Sequence, residues 1–143
     1  CTILVEGTSE VGLINKLIDD GTIEDASGVC VFDCLGKYNV HRFMNLFGKL
    51  GICHSVIIDS DNNKTDKKLK FHEELNALIE TSKNTYTQHI EKIDGNLELF
   101  LGIDTKVSGD KKAQVILLAY ESGKISRDKI DAFAEIVQRC LKN

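Results

Sequence analysis

The order of apolar runs over the first 60 residues constrains this chain more than any other feature. Residues 2–6, 29–33 and 53–58 are short β-branched or apolar runs that read as strands. Between the first two lies a helical pattern carrying Val11, Ile14, Leu17 and Ile18 and stopping at Gly21, with Thr8 or Ser9 as its expected cap. Between the second and third, Val40, Phe43, Met44, Phe47 and Leu50 form one stripe that ends at Gly51. Strand, helix, strand, helix, strand with short connections implies right-handed βαβ units. The expected fold is α/β, a mainly parallel central sheet with helices on both faces.

The rest of the chain continues in the same style. A polar, lysine-rich stretch from Asn62 to Lys70 leads into a helix with Phe71, Leu75, Leu78 and Ile79 on its apolar face. A short strand is expected around Tyr86–Ile90. Leu97–Ile103 fits a short helix or a strand equally well, because so short an apolar run has no readable period. Lys111–Glu121 reads as a helix, and Ser126 as the cap of a last one facing the core with Ile130, Phe133, Ala134, Val137 and Leu141.

Composition excludes several classes. The chain has 143 residues, 42% of them hydrophobic and 28% charged, a balance expected of one soluble domain. No apolar run approaches the roughly 20 residues that a membrane span needs. The apolar opening at residues 2–5 is too short, and lacks the basic leader, to read as a signal peptide. Five cysteines (Cys1, Cys30, Cys34, Cys53, Cys140) are odd in number and contain no CxxC, so reduced cysteines in a cytoplasmic protein are expected. Cys30 and Cys53 read as small buried hydrophobes within strands. A net charge of −4 is unlike that of a free-standing nucleic-acid binder. Contact with DNA would then need metal ions or basic help from elsewhere.

The chemistry sits where strands run out. Val56-Ile57-Ile58 is followed by Asp59-Ser60-Asp61 and the turn-forming Asn62-Asn63. In open α/β sheets ligands bind at the carboxyl ends of strands, and alternate residues of an extended segment face one way. Glu6 ends the first strand and Glu10 falls in the first turn of the following helix. If the first and third strands are neighbours, four carboxylates converge. Each like-charge pair at about 4 Å costs about 4 kcal/mol at an effective dielectric near 20. Protonation or a divalent cation must compensate. Oxygen ligands without a nearby Cys or His point to Mg²⁺ or Mn²⁺. The bland readings are a solvated Asp59-Ser60-Asp61 turn, a lone edge charge at Glu6 and a helix-entry turn at Gly36-Lys37. The four histidines show no ligand spacing, and Lys64, Lys67, Lys68 and Lys70 read as a solvated face rather than a phosphate patch.

Ile3-Leu4-Val5-Glu6-Gly7 with Glu10, Gly36-Lys37 with Asn39, Val40 and Phe43, and Val56-Ile57-Ile58-Asp59 with Asp61 together resemble a Toprim domain. The spacing is most similar to the C-terminal Toprim nuclease domain of the OLD (overcoming lysogenization defect) family. The resemblance covers roughly the first 65 residues well and the rest loosely. It implies one Toprim domain over 1–143, cut from a longer chain with an N-terminal ATPase domain, as an opening on Cys1 rather than Met would fit. It also implies a DNA endonuclease, able at least to nick, that works with two metal ions and takes part in phage defence. Glu6, Glu10, Asp59 and Asp61 would hold the ions, and Glu6 would double as general base. A further family glutamate and lysine match Glu98 and Lys112, or Lys111 beside it. The family often has proline after that lysine, whereas Ala113 stands here. Oligomerisation would run through regions outside this sequence. The alternatives are topoisomerase- or primase-type Toprim chemistry, a receiver-like domain that accepts phosphate on Asp59, and an inactive Toprim scaffold. A receiver carries an adjacent acidic pair after its first strand, whereas this one ends Glu6-Gly7-Thr8.

Overall fold

A computed structural model describes residues 1–104, 106–107 and 110–142. The elements run β1 (Thr2–Val5), α1 (Thr8–Asp19), β2 (Cys30–Asp33), α2 (Lys37–Leu50), β3 (His54–Asp59), α3 (Asp66–Thr81), β4 (Thr87–Ile93), α4 (Leu97–Leu101), α5 (Asp110–Glu121) and α6 (Arg127–Leu141). The four strands form one all-parallel sheet in the order β2-β1-β3-β4. This is the α/β architecture read from the sequence.

Pleating explains why the strands carry unbroken apolar runs. Ile3, Val5 and Ile57 point to one face and pack with Leu13, Ile14 and Leu17 of α1, Leu97 and Leu101 of α4, Ile116 of α5 and Phe133 and Val137 of α6. Leu4, Val56 and Ile58 point to the other, against Val40 and Met44 of α2 and Ile79 of α3. Both faces are covered, so each position is under pressure to be apolar. Phe32, Phe43 and Phe47 close the second core with edge-on ring contacts at 4.8 and 5.3 Å from Phe32.

Several local expectations shift. Leu97–Leu101 resolves as a helix, and β4 runs on to Ile93. Leu50, the last residue of α2, is exposed instead of facing the core, and so are Phe71 and Leu78, because α3 contributes only Leu75 and Ile79 to buried packing. Cys30 and Cys53 are exposed, whereas Cys34 and Cys140 are buried: the first two stand where β2 and β3 begin, at the amino-terminal edge of the sheet. Gly7, not Thr8 or Ser9, is the N-cap of α1, and Ser126 caps α6 without a side-chain bond. Among the described residues no helix is long and apolar enough to cross a membrane.

Candidate active site

The strand order decides the geometry. From β1 the chain goes outward to β2 and then returns to the opposite side of β1 as β3, so the order of strand addition switches sides between β1 and β3. A crevice opens at the carboxyl ends of two such strands. Val5 lies opposite Ile57, so the residues that follow each strand emerge side by side. Glu6 and Asp59 arrive there from positions 53 residues apart, and the Asp59 N–H donates to Glu6 Oε1 at 2.8 Å.

Asp61 reaches the same place by a turn. It adopts a left-handed φ of 54°, which Asp tolerates better than most residues. Its N–H donates to the Gly95 carbonyl at 2.7 Å, and Gly95 N–H donates to Ser60 Oγ at 2.8 Å. The loop after β3 is therefore clamped to the loop after β4. Carboxylate oxygens of Glu6, Asp59 and Asp61 lie within 4.8 Å of one another.

Glu10, buried in the first turn of α1, shares a cleft of about 210 Å³ with Glu6, Asp59, Gly36 and Lys112. Glu98, also buried, sits in the first turn of α4 and is ion-paired with Lys112 of α5. Lys112 links the two groups, because its charge also bears on Glu10 and Asp59. The structure thus gathers Glu6, Asp59 and Asp61 tightly, sets Glu10 beside them, and holds Glu98 one ion pair further out.

Two contacts were not foreseen. Lys37 stands at the start of α2 with a side chain only 5% exposed. Its Nζ donates to the Asp59 carbonyl at 2.6 Å and to Asp61 Oδ2 at 2.8 Å, and lies 4.0 Å from Glu6 Oε1. His72 of α3 brings Nδ1 to 3.1 Å from Asp61 Oδ2 at an angle that forms no hydrogen bond. The Gly36-Lys37 turn was a visible signal for the first; nothing in the spacing of His72 marked the second.

The electrostatics are those of a crowded acidic site. Burial pushes Glu10 up to about 7, with the Asp59 charge adding to it and Lys112 opposing. Burial also lifts Asp59 well above the usual carboxylate range, reinforced by Glu6 and Asp61. Glu6 is raised by the same cause, against the pull of the Lys37 ammonium and the Asp59 N–H. Asp59 Oδ1 is buried with no hydrogen-bond partner among the described residues. An orphaned carboxylate oxygen amid other carboxylates fits a hard divalent cation, although His72, unlike the sequence expectation of no nearby histidine, stands at the edge of the group.

Residues 1–61 match the family described as "Overcoming lysogenization defect protein-like, TOPRIM domain". The match ends on Asp61, so Glu98 and Lys112 lie beyond it. No curated protein matches the chain. With its parallel sheet and its acidic rim at β1 and β3, the chain is similar over residues 1–61 to the OLD-like Toprim family.

Proposed function

We propose that this domain hydrolyses DNA phosphodiesters with divalent metal ions, as the nuclease part of a longer ATP-dependent protein directed against phage. The observation that carries the reading is the meeting of Glu6, Asp59 and Asp61 oxygens within 4.8 Å beside an unpartnered buried Asp59 Oδ1. The OLD-like Toprim match supports it.

Glu6, Glu10, Asp59 and Asp61 would hold the ions, with Glu98 completing the second position. Two bound ions would supply an acidified water and neutralise charge on attacking and leaving oxygens. The protein's own part is positional. The hydrogen bond from Asp59 N–H fixes one Glu6 oxygen and leaves the other to accept the proton of an attacking water. Lys112 lines the cleft and would offset charge on the transferring phosphoryl group. The clamp between the loops after β3 and β4 keeps Asp61 in register with Asp59.

The test is cutting of supercoiled plasmid by the protein with Mg²⁺ or Mn²⁺, with and without EDTA. Metal-dependent nicking or linearisation, lost in Asp59→Ala, is the expected result. Uptake of phosphate on Asp59 from a small phosphodonor, with no cutting, would replace the nuclease reading by a receiver-like one.

A further inference from the structure

Lys37 breaks two local rules at once. A cation at a helix N-terminus faces the positive end of the macrodipole, and lysine is almost never fully buried unless it is paired. Here it is both, at the start of α2 and 6% exposed. The partners that offset this are the site itself: Asp61 Oδ2 at 2.8 Å, the Asp59 carbonyl at 2.6 Å and Glu6 Oε1 at 4.0 Å. The ammonium therefore occupies the position of a cation among three carboxylates. If all three are ionised, one lysine charge leaves the group at −2, the charge that a single divalent ion balances.

The two short bonds differ in kind. Asp61 Oδ2 is a carboxylate oxygen of the kind a metal takes, whereas the Asp59 carbonyl belongs to the end of β3 and is fixed by the sheet. An ammonium that gives up Asp61 still keeps a buried acceptor and is not stranded without one.

We propose that Lys37 is a built-in competing cation, which holds Asp61 in the metal-free protein and cedes it when a divalent ion binds, so that it sets the metal affinity of the site. The proposal rests on the metal-site reading above. Its chemistry is exchange of one hydrogen-bonded acceptor, with no covalent step. Lys112 does not duplicate it, because that side chain is a third exposed and is paired to Glu98.

The experiment is calorimetric titration of Mn²⁺ into the protein and into its Lys37→Met, Lys37→Gln and Lys37→Arg forms, with thermal melting of each in EDTA. The two neutral substitutions should bind Mn²⁺ at least about tenfold more tightly than the parent, since a nearby like charge is gone. Both should melt lower in EDTA and regain stability with Mn²⁺. Lys37→Arg keeps the charge and should stay within about threefold of the parent. Unchanged or weaker Mn²⁺ binding in both neutral forms overturns the proposal, as does an arginine form that tightens as much as they do. So does failure of both neutral forms to fold even with Mn²⁺, which would make Lys37 purely structural. If the parent itself binds no Mn²⁺, the metal-site reading falls first and the proposal with it.

Discussion

At the scale of single residues, the site is a set of charges that the protein holds at some cost to itself. Asp59 has an unpartnered buried oxygen and faces Glu6 and Asp61. Asp59→Asn removes the repulsion and should raise metal-free stability by about 1 kcal/mol. The same change should abolish stabilisation by Mn²⁺, and melting curves with and without the ion check both. Lys112→Ala should lower plasmid cutting by about a hundredfold while leaving Mn²⁺ affinity undiminished, which separates charge compensation in the reaction from metal binding. Glu6, Asp59 and Asp61 were legible in the sequence because they stand where apolar strands run out, at the rim where a parallel sheet binds ligands. Lys37 was legible as part of a motif but not as an occupant, since a lysine opening a helix ordinarily points to water. His72 was not legible at all. Its approach to Asp61 depends on how α3 docks, which spacing along the chain does not encode.

At the scale of elements, two short pieces of backbone aim the functional groups. The turn between β2 and α2 places Gly36 at φ 114°, ψ 149°, a region that residues with a Cβ rarely enter. Nothing crowds that position sterically, so the cost of Gly36→Ala is conformational, about 1 to 3 kcal/mol. The variant should also displace Lys37 and so weaken the metal-free protein more than the metal-bound one, as melting in EDTA and in Mn²⁺ would show. The second piece is α4, only Leu97–Leu101, whose N-cap Asn96 accepts a hydrogen bond from the Leu99 N–H at 3.0 Å. Asn96→Ala should destabilise the fold by about 1 kcal/mol and loosen Glu98, with urea midpoints as the measure. Elements buried on both faces were readable from their apolar runs. The face of α3 was not, because Phe71 and Leu78 share its helical spacing and yet stay in water.

For the molecule as a whole, the buried acids make stability depend on pH in a definite direction. Glu10 rises from its ordinary 4.5 to about 7, and Glu6 and Asp59 move the same way. A carboxyl with a raised folded-state pKa binds more protons folded than unfolded. Its contribution is therefore fully present below about pH 4.5 and is lost as pH climbs through about 7. In EDTA the melting temperature should fall between pH 5 and pH 8, and millimolar Mg²⁺ should flatten or reverse that slope. An EDTA profile that rises over this interval would contradict the described electrostatics. The sheet order has a consequence in time as well as in space. Glu6 leaves the ribosome 53 residues ahead of Asp59, and until β3 inserts beside β1 the growing chain owns only half of a cradle. A site assembled this way stays incomplete throughout early synthesis, because its first acidic residues have nothing yet to share an ion with.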